Sequence, residues 1–134
     1  MGTFHVDCTI ENIAERDRRA TVSKVLVDTG SEYTWAPTPV LEGLGIQREK
    51  KDLTFVMANG QTVTRSTGFA VIRTGDAFTV DEVVFAEDGD LLPLGARALA
   101  GMNLAVDPVL EELVAAGPLP AAAQLTLPIN GSRL

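Results

Sequence analysis

The segment 24–35, KVLVDTGSEYTW, contains the residue best suited to chemistry, Asp28. A run of apolar residues ends at this aspartate, and Thr29, Gly30 and Ser31 follow at once. A buried strand that ends in a carboxylate places it in a partly desolvated environment, where its pKa can be tuned for catalysis. Aspartate is also a common turn former. The segment alone therefore leaves two interpretations, a catalytic carboxylate and a turn residue.

Other catalytic or metal-binding arrangements have little support. A Ser-His-Asp or Cys-His arrangement would have to use His5, the single histidine, which alternation places on the polar face of the first strand. Cys8 falls on the apolar face, which favours a buried thiol over a nucleophile. One cysteine and one histidine are too few for a zinc site. The acidic segment 87–90, EDGD, lacks the spacing of a calcium loop, so we expect no metal and no cofactor.

Composition limits the class of protein. The 134 residues suit one domain, and a net charge of −7 argues against a nucleic-acid partner. No stretch approaches the roughly 18 apolar residues of a membrane helix. Asp7 and Glu11 interrupt any signal-peptide core, and a single cysteine fits a reducing compartment. We therefore expect a cytoplasmic protein that binds neither nucleic acid nor membrane.

The first half of the chain predicts short strands. Segments 3–10 and 20–27 form a hairpin, and a short extended piece precedes Pro37 and Pro39. Segment 40–46, VLEGLGI, predicts a helical turn ended by a glycine, either Gly43 or Gly45.

A long hairpin follows in the middle of the chain. Its predicted arms are 53–58 and 61–73, and Asn59 and Gly60 favour a type I′ turn between them. The polar outer part of the second arm suits a projecting, half-solvated ribbon.

The last third is less regular. A strand over 78–86 and a short helix over 96–100 are predicted. Segment 103–114 predicts either two strands that turn at Asp107 and Pro108, or a strand followed by a helical turn. These elements predict a small all-β barrel or sandwich with little helix.

The order of these features resembles the retropepsin-like family, the single-domain, retroviral-type aspartic proteases. LVDTGSEYTW is similar to that family's catalytic loop, and the hairpin at Asn59 and Gly60 falls where the family has its flap. LPLGARAL is similar to its apolar-apolar-glycine motif and following helix, with Leu94 and Gly95 as the closing pair. LGARALAGMNLAVDP is similar to the closing segment of soluble bacterial members.

This resemblance implies an all-β, closed or partly open acid-protease-like barrel, with one lobe per chain and one short helix near the C-terminal end. The domain would span residues 1–116. An extended Ala- and Pro-rich tail, 117–134, would form interface strands, cover a neighbour's site or be removed by self-cleavage.

The resemblance also implies the site. Asp28 would be the catalytic residue of an aspartic endopeptidase, supported by the loop residues that follow it. The flap tip would close over a peptide substrate. The implied supporting residues are Thr29, Gly30 and Ser31, and the implied flap residues are Ala58, Asn59, Gly60 and Gln61.

Two carboxylates are needed for this chemistry, yet the chain contains one Asp-Thr-Gly. An active form would therefore be a homodimer in which each copy contributes Asp28. Ser31 and Ala96 depart from the viral residues at their positions, and the flap tip has a single glycine. Two alternatives remain: a protease-like fold used for dimerisation or peptide binding, and an unrelated β domain in which Asp28 is a turn residue.

Overall fold

The chain is mostly strand, and the structure, a computed structural model, describes residues 4–119 and 121. The predicted tail 117–134 therefore lies largely outside the described residues. The elements are β1 Phe4–Glu11, β2 Arg19–Val27, β3 Thr34–Pro37, α1 Thr38–Gly43, β4 Lys50–Val56, β5 Thr62–Thr74, β6 Ala77–Ala86, β7 Pro93–Leu94, α2 Ala96–Gly101, β8 Leu104–Asp107 and β9 Glu112–Ala115.

Seven strands form one mixed sheet in the order β3-β6-β5-β1-β2-β7, with β4 paired to β5. The parallel pairs are β2 with β7 and β3 with β6. Strands β8 and β9 form a separate antiparallel hairpin, which is the first of the two predicted alternatives for this segment. The sheet is partly open, and the predicted all-β, acid-protease-like fold is confirmed.

Helix α1 is a full short helix where only a helical turn was expected, so the described residues contain two short helices. Pro39 lies in the first turn, where a missing N–H costs nothing, so the prolines that end β3 also begin α1. Helix α1 ends at Gly43 with Leu44 as its C-cap, and Gly45, whose φ is +74°, follows the cap. Gly45 N–H donates to Glu42 O at 3.0 Å, and Ile46 N–H donates to Leu41 O at 3.0 Å.

The β1-β2 hairpin forms as predicted, with inward residues buried and outward residues exposed. Cys8 and Ile10 are each 1% exposed, while His5 is exposed. Burial raises the pKa of the Cys8 thiol to about 11. The thiol is therefore protonated at neutral pH, which supports a structural role for Cys8 over a nucleophilic one.

The β4-β5 hairpin also forms, but its turn differs from the prediction. Met57 N–H donates to Gln61 O at 2.7 Å, and Gly60 N–H donates to Met57 O at 2.8 Å. Only Gly60, with φ +85°, has a positive φ in this loop, so the turn is not type I′. It is a three-residue loop, a type I turn followed by a left-handed glycine. Asn59 instead caps the turn, because its Oδ1 accepts from Gln61 N–H at 3.0 Å.

A buried ion-pair cluster joins β1 to β5. The Glu11 side chain is 1% exposed and accepts from Arg16 Nε at 2.7 Å and from Arg73 Nε at 2.8 Å. The hydrogen bond from Arg73 is the main reason that the pKa of Glu11 falls to about 2. A carboxylate with a lowered folded-state pKa stabilises the fold above its unfolded pKa and loses that contribution as the pH falls toward 2.

We therefore expect Glu11→Gln to lower the free energy of unfolding by about 2–3 kcal/mol at neutral pH. The difference from wild type should shrink as the pH falls below the ordinary glutamate value of 4.5. Urea denaturation at pH 7 and at about pH 3.5 measures both effects. Glu15→Gln is the control, since Glu15 is 64% exposed in its pair with Arg18 and should cost little. An equal cost of Glu11→Gln at both pH values would contradict the assignment.

Candidate active site

Asp28 lies at the carboxyl end of β2, directly beside β7. Its backbone N–H donates to Leu94 O at 3.2 Å, which extends the parallel pairing of Val27 with Leu94. Both carboxylate oxygens are engaged: Oδ1 accepts from Gly30 N–H at 2.9 Å, and Oδ2 accepts from Ser31 Oγ at 2.8 Å. These bonds fix the orientation of a half-buried carboxylate.

The loop after Asp28 is tight. Ser31 N–H donates to Asp28 O at 3.1 Å, which closes the turn. A Cβ on Gly30 would lie 3.2 Å from Asp28 Oδ1, so a larger residue would crowd the carboxylate. Thr29 is exposed at the surface of the single chain. Of the three predicted supporting residues, Gly30 and Ser31 donate hydrogen bonds to the Asp28 carboxylate. Thr29 lies next to Asp28 in the same loop.

The closing pair Leu94 and Gly95 packs directly against this loop. Leu94 is completely buried, and Gly95 N–H donates to Thr34 Oγ1 at 3.0 Å. Helix α2 begins immediately afterwards, and Ala96 N–H donates to Ser31 O at 2.7 Å. The first turn of α2 is therefore hydrogen-bonded to the segment that leaves Asp28.

A groove of about 590 Å³ connects the Asp28 loop with the turn end of β4 in the β4-β5 hairpin. Of the four predicted flap residues, Ala58 lines this groove, whereas Asn59, Gly60 and Gln61 lie at the exposed hairpin tip. The other lining residues are mostly apolar, with Glu32 as a second acid: Tyr33, Trp35, Phe55, Val56, Met57, Leu91 and Pro93.

Sequence analysis missed the groove wall, which consists of three aromatic rings. Phe55 meets Tyr33 with ring centroids 5.4 Å apart and Trp35 with centroids 5.3 Å apart, both edge to face. Alternation along 33–35 places Tyr33 and Trp35 on a common face at the start of β3, and alternation along 53–57 places Phe55 on one face of β4. That signal marks each strand's inner face, but it does not show that the two faces meet.

An ion pair anchors the middle of the β4-β5 hairpin, where Arg65 lies opposite Leu53. Arg65 on β5 donates from Nε to Asp90 Oδ2 and from Nη2 to Asp90 Oδ1, each at 2.8 Å. Both side chains are largely buried, at 13% and 11% exposed. The hydrogen bond from Arg65 lowers the pKa of Asp90, so the pair stays charged well into the acidic range. The hairpin is thereby tied to the loop that leads into β7.

Within residues 4–119 and 121, no helix has both the length and the apolar character needed to cross a bilayer. The same residues contain no group of three or more His, Cys, Asp or Glu side chains arranged to hold a metal ion.

Comparison with known proteins agrees with this geometry. A family model described as aspartyl protease matches residues 6–102, which is more than half of the chain. The match includes the Asp28 loop, the β4-β5 hairpin and the closing pair, and it ends just after α2. A search of curated proteins finds no significant match. The retropepsin-like resemblance is confirmed at the level of the family, and the chain belongs to the aspartyl proteases.

Proposed function

We propose that this protein is a retropepsin-like aspartic endopeptidase that acts as a homodimer. The observation that carries the proposal is the placement of a doubly hydrogen-bonded Asp28 in a groove shared with the turn end of a flap-like hairpin. Membership of the aspartyl protease family supports the reaction class. Family membership does not by itself give the homodimer or the catalytic role of Asp28, and these are the substance of the proposal.

Two Asp28 carboxylates, one from each subunit, would share a single proton across a two-fold axis. Like charges about 3 Å apart cannot both be ionised, so one carboxylate carries the proton and the other does not. The ionised carboxylate activates a water molecule, and the protonated one polarises the scissile carbonyl. The bonds from Gly30 N–H and Ser31 Oγ leave each carboxylate oriented for this role. This chemistry requires no cofactor.

Other residues take supporting roles in this proposal. The exposed Thr29 is free to brace the two loops through reciprocal hydrogen bonds across the dimer axis. The hairpin tips, 58–61 of each subunit, close over an extended peptide, pair with its backbone as an added strand and exclude water. The apolar groove wall accepts side chains of the peptide.

A peptide-binding module without hydrolysis is the second candidate, because the apolar groove alone would serve that purpose. The ordered Asp28 favours hydrolysis. A binding module has no need for an acidic pair that repels itself across an axis.

Specific activity should depend on protein concentration, because a single subunit holds only half of the dyad. We expect hydrolysis of labelled, denatured casein to reach a plateau of specific activity at high concentration. Below the dimer dissociation constant, specific activity should fall in proportion to the dimer fraction. Sedimentation velocity at the same concentrations gives that fraction. Undiminished specific activity in a fully monomeric sample would refute the homodimer proposal.

A further inference from the structure

Arg97, in the first turn of α2, contacts the groove wall from outside the groove. Its guanidinium carbon lies 4.8 Å from the centroid of the Tyr33 ring, within the range of a cation–π contact. Its backbone N–H donates to Glu32 O at 3.2 Å. The side chain thus covers one face of a ring whose residue lines the groove beside Asp28.

Two acidic side chains on β6 hold the other side of this guanidinium. Arg97 Nη2 lies 3.9 Å from Asp81 Oδ1 and 3.9 Å from Glu82 Oε1. Glu82 has nearer partners, since it accepts from Thr67 Oγ1 at 2.6 Å and from Lys50 Nζ at 3.2 Å. Asp81 has weaker support among the described residues: its Oδ1 accepts from the Glu82 backbone N–H at 2.7 Å, but its Oδ2 is buried without a hydrogen-bond partner and no nearer cation faces it. Arg97 is therefore the cation that compensates Asp81.

These contacts form a continuous row from α2 through Tyr33 to Phe55 on β4 and Trp35 on β3. Arg97 covers Tyr33, Tyr33 meets the edge of Phe55, and Phe55 meets Trp35. Each ring is thus held by a neighbour, and the first is held by a cation that is itself fixed at β6. The Tyr33 face that Arg97 covers is therefore the outer end of this row of contacts.

Resting on the proposed function, we infer that Arg97 is a positioning residue that holds the Tyr33-Phe55-Trp35 wall in the shape that binds a bulky apolar side chain of the substrate peptide. Arg97 acts through Tyr33 and touches neither the peptide nor the reacting atoms. Its effect therefore falls on substrate affinity and side-chain preference, and the chemical step at Asp28 is affected little.

The test uses binding as well as hydrolysis. Trp35 is the only tryptophan and Tyr33 the only tyrosine, so tryptophan fluorescence and the long-wavelength part of the near-ultraviolet circular dichroism spectrum, where phenylalanine does not absorb, report on this wall alone. The probes are a blocked alanine hexapeptide with two central phenylalanines and its all-alanine counterpart. Binding is followed through Trp35 fluorescence in the Asp28→Asn background, and KM and kcat are measured with the native Asp28.

Arg97→Met should weaken binding of the phenylalanine peptide about threefold to tenfold, because the peptide must then order a Tyr33 ring that Arg97 no longer holds, at a cost on the scale of a cation–π contact. KM should rise by a similar factor, and the near-ultraviolet spectrum should change. The all-alanine peptide should be affected much less. Arg97→Lys should be intermediate, because lysine keeps the charge beside Asp81 but lacks the planar guanidinium. It also serves as the second variant if Arg97→Met fails to fold.

Arg48→Met is the matched control. Arg48 also stacks on a ring, 4.5 Å from the Phe85 centroid, and pairs with Glu42 at 2.8 Å, but it does not line the groove. The inference is overturned if Arg97→Met matches the parent in both affinity and spectrum, or if Arg48→Met causes the same loss. An equal loss for both peptides, or no fluorescence response to either, also overturns it. Peptide binding without hydrolysis by the native chain refutes the proposed function alone.

Discussion

Asp28→Asn is expected to reduce peptide hydrolysis by about four orders of magnitude or more, the loss typical of removing a residue that acts in the chemical step. Asparagine has the shape of aspartate but cannot share a proton with a partner carboxylate. Its Oδ1 can still accept from Gly30 N–H, so the loop and the fold should remain. Hydrolysis of labelled casein between mildly acidic and neutral pH measures the loss. Asp17→Asn, the same change in an exposed turn, should retain full activity.

Mixing the two chains gives a sharper version of this experiment. If each site needs two Asp28 residues, an equal mixture of native and Asp28→Asn subunits that exchange freely should retain about a quarter of the native activity. The remaining dimers carry one carboxylate and one amide, or two amides. Retention of half of the activity would show that each subunit acts alone, and the proposed shared dyad would be wrong.

Gly95→Ala is expected to lower the free energy of unfolding by about 3 kcal/mol, because overpacking against backbone cannot be relieved by a side-chain rotation. A Cβ at this position would lie 2.5 Å from Tyr33 O and 2.7 Å from Glu32 O. The φ of Gly95 is −90°, so the requirement is for space and not for a left-handed backbone. Relief of the clash must move α2 away from the Asp28 loop, which should also reduce activity.

Urea denaturation of both chains measures this cost, and Gly43→Ala is the matched control. Gly43 ends α1, has no atom within 4 Å of an added Cβ and has no positive φ. Alanine there should leave stability unchanged or raise it by up to about 1 kcal/mol. If Gly95→Ala unfolds at the same urea concentration as the native chain, the close packing of Leu94 and Gly95 against residues 32–33 does not contribute to the free energy of unfolding, and the prediction is wrong.

Local patterns predicted much of the fold. Alternation identified the β1-β2 hairpin and the burial of Cys8, and Asn59 with Gly60 located the β4-β5 turn. The turn type was wrong, because Asn59 uses its side chain to cap the loop instead of adopting a positive φ. Asn-Gly propensity describes the two residues alone, whereas the loop conformation also depends on the hydrogen bonds that Met57 makes on both sides.

The site was predictable only in part. Asp28 and the closing pair stand out because each interrupts an apolar run with residues that allow a tight turn. The aromatic wall and its Arg97 support do not, since they join residues from β3, β4 and α2 that are far apart in the chain. Such contacts follow from the parallel pairing of β3 with β6 and from the position of α2, which no local pattern specifies.

The ion pair between Arg65 and Asp90 sets a mechanical limit on the flap-like hairpin. Arg65 donates to Asp90 from Nε and Nη2 and to Thr64 O from Nη1, so we expect the hairpin to stay fixed at this residue and only the part beyond it to move. That part, from Leu53 opposite Arg65 to the tip, is short and paired along its length. Because the moving part is short, we expect the hairpin tip to move only a small distance when the groove opens. An extended peptide strand should therefore enter the groove more easily than the surface of a folded protein.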